Sequence, residues 1–477
     1  MTRRFALMIP LLWFSIGCGG SPDQDATLSA APLINSMGVT YVDAPFADYR
    51  VSADEKQAEV IFQRWFDDRM DAQIEQHGWK LFSTITKPSG QYLALNAQGG
   101  RSVVDEPGPG RVSIPTWDTW FGETEVFDPT KVVPGTMQLH PPGQAGGAEV
   151  TTFNKYNRAF LEFVHDKKYN DVRTLIALNE KFQADDTPLI ERFIDPPPLE
   201  GIMLKPTYWA VKKGQVTPLS YWKGPGLTID GTTSPKKPTD VTWKQIVLVN
   251  DTGKPVALDP VKFSVTTETG GEEQLSLTPL RAVTPDDFYA IPLSAEDIAW
   301  IQKPGAVFQF GGISPDDLEV GDLALLVGMH ITSVEWSKWT WQTVWWSPLE
   351  PGKGKPGIVS PWLNYDMALA YYYDKADGSP HIAFNPHLEP PITGPIFQNP
   401  TQFGAHSNCM SCHHAAAFPT VNKDPNPANM LLGSYIATGP ISGTEQFFKD
   451  RTKTHFMWGL VLGTQSQAAY ADSVAGR

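Results

Sequence analysis

Residues 321–346 read GDLALLVGMHITSVEWSKWTWQTVWW. Asp322–Val327 is a short run dominated by Leu, Ala and Val, the composition of a buried strand. Trp336, Trp339, Trp341, Trp345 and Trp346 follow close together. They read either as an aromatic core, or as a wall packed against a flat cofactor or an aromatic partner. Strand-like runs precede this stretch at Tyr208–Val211, Val241–Val249 and Val261–Thr266, with turn signals such as Asp251-Thr252-Gly253 between them. Helical spacing lies further upstream. Ile61, Trp65, Met70 and Ile74 predict a helix from Ser52 to Gly78, and Phe160, Phe163, Val164, Val172, Leu175 and Ile176 predict a second from Asn154 to Gln183. Pro196-Pro197-Pro198 is a stiff connector. The expected class is α+β: a β-rich N-terminal body with flanking helices, then a small, mainly helical C-terminal segment.

Composition bounds the function. The chain has 477 residues, 38 Lys+Arg and 52 Asp+Glu, for a formal charge of −14. That balance argues against a nucleic-acid backbone as the main partner. At 41% hydrophobic the chain can bury a core, and 40 Gly with 42 Pro imply many turns. Three cysteines cannot build a disulfide framework.

The N-terminus reads as an address. Arg3 and Arg4 precede an apolar run from Phe5 to Phe14, too short for an ordinary membrane span and right for a secretory signal. Ser15-Ile16-Gly17-Cys18 resembles the lipobox of bacterial lipoproteins, with Ser15 standing where Leu is usual. Cleavage after Gly17 would free Cys18 to carry acyl chains, a stable anchor when more than one is present. An ordinary signal peptide with an incidental Cys18 is the alternative. The expected organisation is a signal peptide over 1–17, a tether over 18–50, a Trp-rich body over 51–395 and a final segment over 396–477. Loss of Arg3 and Arg4 takes the formal charge to −16.

One motif carries specific chemistry. Asn408-Cys409-Met410-Ser411-Cys412-His413-His414 contains Cys-x-x-Cys-His, the attachment pattern of a c-type haem. Two residues between the thiols let Cys409 and Cys412 reach the two vinyl groups of one porphyrin, and His413 then lies under the iron as proximal ligand. A zinc site would want a second ligand pair at matching spacing, and no further cysteine exists to supply one. A thioredoxin-like pair would want a βαβ setting, which is absent here. Export supports the haem reading, since haem is attached on the exported side.

The segment SNCMSCHHAAA, residues 407–417, resembles a monohaem cytochrome c. With TWDTWFGETEVF (116–127) and the 321–346 stretch, the wider chain is similar to a group of exported bacterial cytochrome c family proteins with a large Trp-rich N-terminal region. The resemblance implies one covalent haem c on Cys409 and Cys412, His413 as proximal ligand, and a cytochrome-c-like C-terminal fold. Small class I cytochromes take a distal Met a few tens of residues downstream, which here is Met457, 44 residues beyond His413. His455, Met430, and upstream His330, Met329, Met367 and His406 are further candidates.

Three functions follow as expectations. The first is a lipid-anchored, extracytoplasmic, periplasm-facing electron-transfer protein, its anchor slightly favouring the outer membrane and its acidic surface favouring a redox partner with a basic patch. The second is a haem-dependent oxidoreductase whose N-terminal body binds substrate. The third is a binding or scaffold lipoprotein with a structural or sensory haem. No dinucleotide fingerprint, nucleophile elbow or zinc helix is present.

Overall fold

The structure, a computed structural model, describes residues 32–137, 154–222, 245–266, 272–302, 313–374, 409–419 and 448–465, together with His381, Ala383, Asn385, His387 and Leu388. Cys18, the signal segment 1–17, His406, Met430 and the proline-rich stretch 389–400 lie outside the described residues. The chain divides into Met1–Leu33 and Ile34–Arg477, and the architecture below belongs to the second unit.

The fold is mixed α+β with sheets dominant. Its centre is an antiparallel seven-stranded sheet. The strands are β1 (Phe121–Gly122), β2 (Lys155–Tyr156), β3 (Ile202–Val211), β4 (Ala290–Pro292), β5 (Leu323–Ser333), β6 (Thr340–Trp346) and β7 (Tyr365–Leu369). The spatial order is β7-β6-β5-β3-β2-β1. One edge of β5 is shared, with β4 pairing at 323–325 and β6 at 328–333. β5 is almost continuously buried because the sheet is covered on both faces, which is why its sequence is an apolar run rather than an alternation. The strand expected at 322–327 is thus the first half of a longer one, and Tyr208–Val211 is likewise the end of a strand that begins at Ile202. Val261–Thr266 is a strand as expected, paired with Glu272–Leu277. The expected Val241–Val249 run is a strand from Ile246 to Asn250, with 241–244 outside the described residues.

Strand alternation sorts side chains onto two faces. Met329 and Ile331 of β5, Gln342 and Val344 of β6, and Met367 and Leu369 of β7 share one face. Against it lies helix α2, whose Gly78 sits so close that a Cβ there would meet Leu369 at 2.5 Å and Met367 sulfur at 2.9 Å. Lys205 of β3, His330 of β5, and Trp341 and Thr343 of β6 share the opposite face.

The helix expected over 52–78 is two helices, α1 (Glu55–Asp68) and α2 (Asp71–Ile85). Asp54 caps α1 by accepting the Gln57 N–H at 2.8 Å. Arg69 then breaks the run in the left-handed region, at φ +50°, its guanidinium pinned to the Phe66 and Asp67 carbonyls and to Asp374. The helix expected over 154–183 is likewise split into α3 (Arg158–Asp166) and α4 (Val172–Ala184), each with its own cap, Asn157 and Asp171. Apolar periodicity alone misses such breaks because the same face stays buried across them.

Residues 34–50, expected as tether, belong to the body. Met37, Val39, Ala44 and Tyr49 are buried in the core. Asn35 fixes the entry, donating to the Asp118 and Trp120 carbonyls and accepting from Met37 and Val39. The aromatic-core reading of the tryptophans holds for Trp336, Trp339, Trp345 and Trp346, all at most 2% exposed. No helix among the described residues is long and apolar enough to cross a membrane.

Candidate functional site

The Cys-x-x-Cys-His motif forms one helical turn, α5 (Cys409–His413). Positions 409 and 412 are therefore nearly a full turn apart, and Cys409 is buried. The chain then turns and enters strand β8 (Ala417–Phe418), which pairs with β9 (Thr452–Lys453). β9 is held in turn to the body. Ile194 donates to the Lys453 carbonyl, Lys453 to the Arg192 carbonyl, and Thr452 Oγ1 donates to Asn179 Oδ1. This short pairing carries residues 454–457 back over the motif. Helix α6 (Trp458–Gln465) follows.

His413 is the best-oriented polar group of the site. Its Nδ1 lies 2.7 Å from the Phe456 carbonyl oxygen. A carbonyl only accepts, so Nδ1 carries the proton and Nε2 keeps its lone pair, the form in which imidazole ligates a metal. His455 and Phe456 both adopt positive φ, +46° and +68°, and that turn presents the carbonyl. Burial pushes the His413 pKa down to about 4, partly opposed by the Phe456 bond and reinforced by the Lys205 charge. The ring is therefore neutral at neutral pH. An aromatic wall stands beside it: the Trp341 ring lies 4.7 Å from His413, Phe456 lies 5.7 Å from Trp341 and 5.5 Å from Trp339, and His414 lies 5.7 Å from Phe456. Trp341 is thus both buried core and wall of the motif.

The other expected ligand positions separate cleanly. Met457 is buried and directly follows Phe456, whose carbonyl oxygen holds His413 Nδ1. His455 donates through Nε2 to the Ile194 carbonyl at 3.1 Å and stacks on Phe193 at 4.7 Å. Met329 and Met367 face α2, on the far side of the sheet from His330 and Trp341. His330 shares the motif's face, next to Lys205 in register. Burial, Lys205 and His413 together push its pKa well down. His387, also buried, packs beside Gly328 on that face, and burial brings its pKa to about 3.

Two polar assemblies are invisible to motif reading. Lys155 Nζ lies 2.7 Å from Asp118 Oδ1 deep in the core, and Tyr289 donates to the other oxygen at 2.6 Å. On the α2 side of the sheet, a buried hydrogen-bonded chain runs from His77 Nδ1 through Tyr371, Gln342, Thr340 and Ser333 to Glu335, whose Oε1 lies 3.0 Å from His77 Nε2. The one available signal was the presence of polar residues inside apolar runs. No group of three or more His, Cys, Asp or Glu side chains gathers as a metal cage among the described residues. Comparison with protein-family models, curated proteins and solved structures returns no match.

Proposed function

We propose that this chain is a lipid-anchored, extracytoplasmic monohaem c-type cytochrome that passes single electrons. The observation that carries the reading is Cys-x-x-Cys-His on one helical turn, with His413 oriented through Nδ1 by the Phe456 carbonyl. The residues present fit the group. Cys409 and Cys412 would form the thioethers, His413 would ligate the iron through Nε2, and Trp341 with Phe456 would line the porphyrin. The bound haem supplies reversible one-electron exchange at iron. The chain's own residues keep His413 neutral and fix its tautomer.

Residues 396–477 are the proposed haem segment, with a small cytochrome-c-like fold, and Cys18 is the proposed lipid site at the cell envelope. An acidic body of formal charge −16 after processing favours a partner with a basic patch, met in a salt-dependent encounter. The test is a visible spectrum of protein matured in an export-competent host, oxidised and dithionite-reduced, followed by denaturing electrophoresis stained for haem. A c-type α-band and haem that stays with the denatured chain support the reading. Absence of both refutes it, and the double variant Cys409→Ala/Cys412→Ala is expected to lose both.

A further inference from the structure

We propose that His330 of β5 is the second axial ligand of the haem iron opposite His413. The inference rests on the haem reading above and adds to it the identity of the distal group. A distal ligand must approach from the Nε2 side of His413, away from the Phe456 carbonyl.

The fold places the candidates on different sides of that requirement. Met457 follows the residue whose carbonyl holds Nδ1, so its backbone starts on the proximal side. The His455 ring is committed to the Ile194 carbonyl and to the face of Phe193. His414 is joined to His413 itself and turns its ring edge toward Phe456. Met329 and Met367 point to α2 through the thickness of the sheet.

His330 has what the others lack. Its register partner on β6 is Thr343, two residues from Trp341 on the same face, and the Trp341 ring touches His413. Same-face neighbours two residues apart on a strand lie about 7 Å apart. His330 is thereby set beside the motif by the sheet itself, on a rigid central strand rather than a loop. Two imidazoles set beside the same Trp341 ring supply the donor set of a bis-histidine iron, which holds a lower potential than a His/Met iron.

The experiment uses the matured, haem-loaded protein and four variants: His330→Ala, His330→Met, Met457→Ala and His387→Ala. Haem content is measured first, by pyridine haemochrome. In His330→Ala, covalent haem is retained, the ferric spectrum changes from low-spin to high-spin, and the reduced protein binds carbon monoxide where the parent does not. Added imidazole restores the low-spin spectrum. His330→Met gains a sulfur-to-iron charge-transfer band and a higher midpoint potential. Met457→Ala and His387→Ala stay low-spin. A low-spin, carbon-monoxide-inert His330→Ala with full haem content overturns the assignment and leaves the haem reading intact. A parent protein without covalent haem overturns both.

Discussion

Tyr371→Phe removes one oxygen atom from the core and tests whether the buried hydrogen-bonded chain is a single connected unit. Gln342 Nε2 donates to both Thr340 Oγ1 and the Tyr371 hydroxyl. Thr340 passes its proton to Ser333, whose hydroxyl donates to Glu335 Oε1 at 2.8 Å. Tyr371, already accepting from Gln342, gives its proton to His77 Nδ1 at 2.8 Å, and His77 Nε2 lies 3.0 Å from the same Glu335 oxygen. One amide proton of Gln342 thus starts a chain that ends on the Glu335 carboxylate, and the other starts a chain that ends at His77 Nδ1. Every member is buried: the His77 and Glu335 side chains are 2% and 1% exposed. Removing the hydroxyl leaves a Gln342 N–H without an acceptor and His77 Nδ1 without a donor. Each orphaned buried group costs about 1–3 kcal/mol, so the loss is about 2–6 kcal/mol, a large part of a stability of about 5–15 kcal/mol. Tyr372→Phe is the control. Its hydroxyl binds Asp71, which is exposed and returns to water, so about 1 kcal/mol is expected. Urea unfolding followed by Trp fluorescence reads both. A Tyr371→Phe protein within about 0.5 kcal/mol of its parent would refute the hydrogen-bonded chain, since no buried pair orphaned in this way comes so cheaply.

Lys155→Ala strands the Asp118 carboxylate in the core and is expected to destabilise by about 3–5 kcal/mol in the same urea assay; a loss below about 1 kcal/mol would mean water reaches the pair. In the haem-free Cys409→Ala/Cys412→Ala protein, His413, His387 and His330 are buried neutral, with pKa values of about 4, about 3 and well below the ordinary value. Their unfolded values lie near about 6.5, so the unfolded chain binds more protons below that pH. Stability is fully present above about pH 6.5 and falls as pH drops toward about 4, and a stability profile flat across that window would contradict their burial. A fragment of residues 396–477 expressed alone is expected to lack a cooperative unfolding transition by circular dichroism, because β9 and His455 depend on Arg192, Ile194 and Asn179 of the body.

Much of the fold was legible in the chain, and the misses share a physical cause. The strand at 322–327 was visible because β5 is buried on both sides and reads as Leu-Ala-Leu-Leu-Val. Its second half, Gly328–Ser333, was hidden because Gly328, His330 and Thr332 interrupt the apolar run. Those same residues lie on the sheet face that carries Trp341, the ring packed against His413. Helix breaks at Arg69 and Lys168 left no trace in the periodicity, since non-glycine residues take the left-handed turn there. Cys409, Cys412 and His413 were legible as a candidate site because their spacing is local in the sequence. The Phe456 carbonyl was not, because a backbone acceptor 43 residues away has no side-chain signature.

The size of the body follows from how the site is built. A haem segment alone would have to fold its own wall around the ring. Here the wall is β6, and one strand serves two environments. Trp341 meets His413 on one face, while Thr340 and Gln342, its immediate neighbours, enter the buried hydrogen-bonded chain on the other. Tilting Trp341 would move the Thr340 and Gln342 hydrogen bonds, and those bonds are held at their far ends by His77 on α2 and by Glu335 at the end of the β5–β6 hairpin. The strand that carries Trp341 is thus braced from the opposite side of the sheet. A buried hydrogen-bonded chain resists small displacements better than apolar packing does, because each link has a preferred distance and direction as well as a contact. If the proposed haem is bound there, a wall that does not move when its charge changes would keep the reorganisation small, and this would account for a large Trp-rich body in front of a short motif without assigning it a substrate.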